Sequence, residues 1–204
     1  PVAVASVQSP SGVTLAGKHG AAVLSMSIPR DTVRQTSLKE LWSIAEESAA
    51  EHNQTGKRED WGLVVGMHLA ESKKEAMEDI RLGGGRIVSE YFGETLGNEV
   101  PDVPRDQIVD YMVEHNQWIV GTPDDCIAGI ERLQEISGGF GSFMIRVEDW
   151  APFEKIKHSY ELLARYVMPH FQGTVKGIEV SNQWARERKD ELNRNRITDR
   201  KSTR

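Results

Sequence analysis

Short apolar runs alternate with amphipathic stretches along most of the chain. Val2–Val7 is dominated by Val and Ala and has no polar side, a pattern typical of strands covered on both faces in a parallel sheet. Three further apolar runs predict strands at Ala21–Met26, Trp61–Leu69 and Phe140–Val147. Between the runs, apolar residues three and four positions apart predict helices. The alternation therefore predicts an α/β protein built from parallel β–α units.

Capping signals set the predicted helix boundaries. Ser37 with Glu40, and Ser72 with Glu75, have the spacing of capping boxes, so a helix is predicted to begin after each serine. In the same way Thr122 is a predicted N-cap, and Pro123 suits the first helical position. A last helix is predicted over Pro152–Met168.

The segment Gly83–Trp118 interrupts this rhythm. Its three consecutive glycines indicate flexibility, two prolines rule out one continuous element, and only Asp106–His115 has a helical pattern. Such an insertion is typical of a lid over a substrate, with the glycines as its hinge, although a plain disordered loop has the same composition. Both interpretations remain open from the residues alone.

Four strands and four helices fit two architectures. One is a small doubly wound sheet, and the other is part of an eight-stranded (β/α)8 barrel. A complete barrel needs roughly 250 residues, and this chain has 204.

Composition narrows the class of protein. The chain is 38% hydrophobic and 27% charged with a mean hydropathy of −0.48, and it has no apolar run long enough to span a bilayer. The first residues lack the features of a signal peptide. We therefore expect a cytoplasmic protein that does not enter membranes. The single Cys126 excludes an internal disulfide framework and a multi-cysteine metal site.

Charge is distributed unevenly. Residues 185–204 carry eight Lys/Arg and four Asp/Glu, so this stretch is net +4 while the whole chain is −6. A basic tail could contact nucleic acid or an anionic surface. No recognition motif or interleaved aromatic residue accompanies the charges, so we expect a solvated helical end and no nucleic-acid partner.

Five stretches carry a family resemblance: VASVQSPSGVTLAGKHGAAVLSM, SLKELWSIAEESAAEH, WGLVVGMHLAES, VGTPDDCIAGIERLQEISGGFGSFMIRVEDW and YELLARYVMPHFQG. They resemble the luciferase-like flavin-dependent monooxygenases, most of all those of the limonene monooxygenase and bacterial luciferase α-chain type. The resemblance covers residues 2 to 172 and implies the C-terminal half of a (β/α)8 barrel. On this basis residues 1–172 form the half-barrel, with 83–118 as a lid candidate, and residues 173–204 form a polar, basic tail.

The resemblance also implies an activity. Such an enzyme takes reduced flavin, FMN rather than FAD, from a separate flavin reductase and uses O2 to oxygenate a small apolar substrate such as a terpene or a long-chain aldehyde. A homo- or hetero-oligomer is expected. Two alternatives stay open: a deazaflavin-dependent oxidoreductase of the same fold, and a non-catalytic half-barrel module. The catalytic residues cannot be assigned, since the resemblance places them in the other half of the barrel.

The turn after the first strand is the predicted cofactor site. The resemblance implies that this turn holds the flavin phosphate, and its residues suit an anion. Ser9 and Ser11 offer hydroxyl donors, Gly12 and Val13 offer backbone N–H groups at a helix start, and Gln8 could reach the flavin ring. We expect Ser11 to cap a helix over Gly12–His19. A serine-rich helix cap with no ligand has the same sequence.

Met26 and Ser27 are the predicted substrate contacts. They follow the second strand at the carboxyl end, where barrel active sites lie. The luciferase type has a Trp at the position of Ser27, which suggests a different substrate pocket here. His68 is expected to be a core or surface histidine without a catalytic role, and Cys126 a small buried residue. No metal-ligand spacing is present.

Overall fold

The computed structural model describes residues 2–6, 10–26, 36–173 and 176–194. The chain divides into two compact units, Pro1–Leu163 and Ala164–Arg204. Five parallel strands form the sheet of the first unit: β1 (Ala3–Ala5), β2 (Ala22–Met26), β3 (Trp61–Leu69), β4 (Trp118–Gly121) and β5 (Ser142–Arg146). Its helices are α1 (Pro10–His19), α2 (Leu38–Glu51), α3 (Lys73–Arg86), α4 (Ile108–Glu114), α5 (Pro123–Ser137) and α6 (Phe153–Leu162).

The second unit is helical in its described part. It contains α7 (Met168–Gln172) and α8 (Lys176–Glu187), and a π-helical turn at Leu163–Val167 spans the boundary between the units. In α8 the ring of Trp184 lies 4.9 Å from the guanidinium carbon of Arg188. The predicted helix Pro152–Met168 is therefore α6 and the π-helical turn, and it passes into α7 at Met168.

Strand β3 is the centre of the sheet. Its residues 61–64 pair with β2, residues 62–66 pair with β5, and residues 66–69 pair with β4. On the far side of β2, β1 completes the sheet. The nine-residue apolar run of β3 is buried along almost all of its length, as expected for the central strand of a parallel sheet.

The predicted helix starts are confirmed by their capping bonds. The backbone N–H of Glu40 donates to Ser37 Oγ at 3.2 Å, and the N–H of Glu75 donates to Ser72 Oγ at the same distance. Thr122 caps α5 in a reciprocal capping box, with Pro123 in the first turn.

Strand β4 was not predicted. The apolar pattern predicts four strands and leaves Trp118 at the end of an irregular segment, but Trp118–Gly121 pairs with β3. The strand has only four residues and follows the polar stretch 115–117. So short a run has no repeating pattern of apolar and polar residues that would distinguish a strand from a loop.

The three consecutive glycines do not form a flexible segment. They lie inside α3, and a π-helical segment, Ile87–Thr95, continues the helix. A Cβ on Gly83 would collide with the backbone of Trp150, and one on Gly85 would lie 2.6 Å from the carbonyl oxygen of Arg105. These glycines are needed for close packing rather than for flexibility, so the predicted hinge is wrong. The role of residues 83–118 as a lid stays a prediction.

The first β–α unit differs from the prediction in two ways. The strand is shorter than Val2–Val7, and its residues are exposed or half-buried, because β1 is at the outer edge of the described sheet and pairs only with β2 there. Helix α1 begins at Pro10, so Ser11 lies in its first turn and is not the N-cap.

An aromatic stack joins three elements under the sheet. Trp61 of β3 stacks on Trp42 of α2 with ring centroids 5.0 Å apart, and the guanidinium carbon of Arg58 lies 5.2 Å from the Trp42 ring centroid. Arg58 Nη1 also donates to the carbonyl oxygens of Ser137 and Gly139, each at 3.0 Å. This stack therefore ties the end of α5 to the start of β3.

We expect Gly83→Ala to lower the free energy of unfolding by about 2 kcal/mol, within the range measured for overpacked cores. The added methyl group would meet the backbone of Trp150, which cannot rotate away. Urea denaturation of both variants tests this, with Leu82→Ala as the control, because Leu82 is the neighbouring residue of α3 and is 83% exposed. Equal stability of the Gly83→Ala variant and the unmodified protein would contradict this close packing.

Candidate active site

The sheet has two unlike faces. Aligned residues of parallel strands point to the same face, so Ser25, Trp61 and Leu63 share one face. All three are buried, and Trp61 Nε1 donates to Ser25 Oγ at 3.0 Å while its ring packs on α2. This face therefore packs on α2.

The opposite face is left partly open. Among the exposed or half-buried residues that register places on it are Leu24, Met26, Val64, Met144 and Arg146. We call these residues the open face. Met26, Val64 and Met144 are aligned across β2, β3 and β5, and Met144 is 39% exposed. The open face is thus an apolar surface that ends in one arginine.

Small residues beside the open face make room for its larger side chains. A Cβ on Gly62 would lie 2.8 Å from the sulfur of Met144 and 3.0 Å from a methyl carbon of Leu24. Further along β3, a Cβ on Gly66 would lie 2.8 Å from Trp118 Cδ1. Trp118 therefore covers Gly66, and the open face ends at the level of this glycine, which is also aligned with Arg146 of β5.

An ion pair stands at the carboxyl end of β5. Arg146 Nε pairs with Glu148 Oε1, and the two side chains are 20% and 13% exposed. The guanidinium carbon of Arg146 lies 5.1 Å from the ring centroid of Phe92, in the π-helical segment. No role is predicted for this arginine from the sequence. The sequence contains one signal for it: an arginine at the end of a predicted strand, two positions after Met144, so that both side chains lie on the same face.

The predicted phosphate turn is described only in part. Ser11, Gly12 and Val13 lie in the first turns of α1, whereas Gln8 and Ser9 lie outside the described residues. The side chain of Val13 is buried, so it holds the turn in the core. A Cβ on Gly12 would lie 2.8 Å from Ser6 Cβ, so α1 approaches the end of β1 closely at this glycine.

Of the two predicted substrate contacts, Met26 is described and lies on the open face. Ser27 lies outside the described residues. Met26 is half-buried and aligned with Val64, which places it among the apolar side chains at the carboxyl end of β2.

A chain of ionisable side chains leads from the core to the surface. His68, which is 1% exposed, contacts Asp79 Oδ2 through Nε2 at 3.3 Å, and Lys155 Nζ lies 3.4 Å from Asp79 Oδ1. Lys155 also donates to Glu75 Oε1 at 2.6 Å. Burial lowers the pKa of His68, Asp79 opposes that shift, and the charges of Lys155 and His158 add to it.

Cys126 is buried in α5, and burial, with a smaller contribution from Asp125, raises the pKa of its thiol to about 12. Within residues 2–6, 10–26, 36–173 and 176–194 there is no group of three or more His, Cys, Asp or Glu residues that could hold a metal ion. In the same residues, every helix is too short or too polar to cross a membrane.

Comparison with curated proteins gives two relatives. The chain is 38% identical over 193 residues to a 4-hydroxyprotoasukamycin monooxygenase of Streptomyces nodosus subsp. asukaensis, covering 92% of this chain and 51% of that protein. It is 40% identical over 172 residues to a limonene 1,2-monooxygenase of Rhodococcus erythropolis, covering 84% of this chain and 44% of that protein. The chain thus spans about half the length of the curated relatives it matches. No protein-family model matches it.

A solved structure shows the fold. It is a type II Baeyer–Villiger monooxygenase, the oxygenating constituent of the 3,6-diketocamphane monooxygenase from the CAM plasmid of Pseudomonas putida, in complex with FMN. The TM-score is 0.65 at 22% identity, over 82% of this chain and 48% of that chain. The predicted α/β half-barrel of the luciferase-like type is confirmed.

We expect stability to fall as the pH drops below the ordinary pKa range of histidine. The unfolded chain takes up a proton on His68 there, whereas the folded chain resists it because the ring is buried, so stability is retained above that range and lost below it. One such group changes the free energy of unfolding by at most about 1.4 kcal/mol per pH unit. Urea denaturation from pH 7.5 to 5 measures the slope.

His68→Gln should flatten that dependence, because an amide can keep the contact with Asp79 without titrating. His158→Gln is the control, since His158 is 41% exposed and pairs with Glu71 at the surface. If the slope persisted in the His68→Gln variant and disappeared in the His158→Gln control, the pH dependence would belong to His158 and the prediction for His68 would be contradicted.

Proposed function

Because the chain belongs to the luciferase-like flavin monooxygenases, we propose that the protein uses reduced FMN and O2 to oxygenate a small apolar substrate. The observation that carries this proposal is 38–40% identity to two monooxygenases in a chain whose sheet leaves an apolar face partly open. A separate flavin reductase and an oligomeric assembly are part of the proposal.

The start of α1 suits a flavin phosphate. Its first turn contains no acidic residue, whereas Lys18 and His19 lie in its last turn. The first N–H groups of a helix have no intrahelical acceptor, and the helix dipole favours an anion there. Ser11 is exposed in that turn, so its hydroxyl and N–H would donate to the phosphate together with the N–H of Gly12.

Other residues of the turn would position these donors. Val13 anchors the helix start in the core, and the close approach of Gly12 to Ser6 sets α1 against the end of β1. Gln8 and Ser9 remain predicted contacts of the flavin from the sequence. Ser27 likewise remains a predicted substrate contact.

The open face would form the apolar wall of the pocket. When bound, reduced flavin supplies the electrons that activate O2. This chain's part is to hold the phosphate at α1 and to exclude water from the reacting atoms. Leu24, Met26, Val64 and Met144 would offer the apolar surface that excludes water.

We expect Ser11→Ala to weaken the binding of reduced FMN about tenfold, because a hydroxyl that donates to a charged phosphate is lost. Thr14→Ala is the matched control, since Thr14 is also in α1 but its hydroxyl donates to the carbonyl oxygen of Pro10 at 2.8 Å. Anaerobic fluorescence titration of the protein at its natural length measures both affinities.

Stopped-flow mixing with O2 then tests the reaction itself. Oxidation of reduced FMN that is as fast with the protein as in buffer would contradict the proposed function. Oxygen uptake coupled to product formation separates a monooxygenase from a hydride-transferring deazaflavin enzyme of the same fold.

A further inference from the structure

Arg146 is the polar member of the open face. It is aligned with Gly66 of β3 and lies two residues after Met144, which is aligned with Val64. Residues two apart on a strand point to the same side, so the arginine extends the surface that the methionine and valine form. Its side chain is 20% exposed. An apolar wall thus ends in a single guanidinium group.

The surroundings of Arg146 hold it in one place. Glu148 pairs with its Nε, and Phe92 covers the guanidinium from the π-helical segment. π-Helical turns are uncommon and frequently occur at functional sites. Here the turn brings an aromatic ring over a cation, an arrangement that is itself attractive.

One donor of this arginine is unused. Arg146 Nε and Nη2 are both buried without a hydrogen-bond partner among residues 2–6, 10–26, 36–173 and 176–194; Nε is ion-paired with Glu148, which leaves Nη2. A buried donor without an acceptor is costly, so an acceptor from a ligand would be favoured there. Because Glu148 already neutralises the guanidinium, that acceptor is best a neutral oxygen rather than an anion.

We propose that Arg146 binds the carbonyl oxygen of the substrate, so that the preferred substrate is an apolar ketone, enone or aldehyde rather than a hydrocarbon. The proposal deepens the proposed function and rests on it. The apolar part of the substrate lies along Met144 and Val64, and its oxygen accepts a hydrogen bond from Nη2 once the ring of Phe92 turns aside. Arg146 is therefore a specificity-determining residue.

The test compares limonene with carvone, which has the same carbon skeleton and one added ketone. Headspace gas chromatography over the protein at its natural length gives the dissociation constant of each volatile compound without any turnover. The variant Arg146→Met with Glu148→Met removes the pair together, because buried ion pairs tolerate apolar replacement better than the loss of one partner. We expect the carvone-to-limonene affinity ratio to fall about tenfold.

Lys157→Met with Glu161→Met is the matched control, since this pair is exposed on α6 with 3.9 Å between its charged atoms. It should leave the ratio unchanged. Three results would overturn the proposal: no measurable carvone binding, an unchanged carvone-to-limonene affinity ratio in the variant Arg146→Met with Glu148→Met, or an equal loss of affinity for both compounds in that variant. A second variant, Arg146→Lys, keeps the charge but loses the planar fork, and the ratio should fall there too.

Oxidation of reduced FMN in the same variants separates this proposal from the proposed function. A flavin that is oxidised as in the unmodified protein, with a changed ligand preference, supports Arg146 as a specificity residue. An unchanged preference in a protein that still controls flavin oxidation overturns this inference alone.

Discussion

The pairing of β3 with three other strands is the constraint on which the sheet depends. Its first residues align β2 and β5, and its last residues align β4. A one-residue slip in any of these registers would exchange the two faces of that strand. Trp61 at the start of β3 opposes such a slip, because its indole N–H donates to Ser25 and its ring stacks on Trp42. The register that buries this tryptophan also places Met26, Val64 and Met144 side by side.

Two glycines of β3 leave room for large side chains of the neighbouring strands. Gly62 leaves room for Met144, and Gly66 leaves room for Trp118, whose ring also packs on Gly84 of α3. Trp118 in turn meets Trp150 edge to face at 4.8 Å. A layer of aromatic rings thus covers the carboxyl part of β3, while the part before Gly66 stays open. The limits of the open face follow from where these glycines stand.

The sequence predicts best what depends on neighbouring residues. The starts of α2, α3 and α5 rest on capping bonds that span three residues, and all three are where the spacing places them. Strand β4 and the packed glycines of α3 depend on contacts with distant backbone, such as that of Trp150, and local patterns do not report these. The pairing of Arg146 with Phe92 joins residues 54 positions apart in sequence. The position of Met26 at the carboxyl end of β2 follows from the strand pattern, whereas the position of Arg146 beside Met144 and Val64 requires the register.

The two faces of the sheet therefore have different physical tasks. The face that packs on α2 holds apolar and aromatic side chains that stabilise the sheet, and its buried Ser25 is satisfied by an indole N–H. The open face keeps a half-buried ion pair with an unused donor. Such an arrangement costs stability relative to apolar packing. A protein keeps a destabilising buried polar group where that group has a function that apolar packing cannot perform. Recognition of one polar atom on an otherwise apolar ligand is such a function.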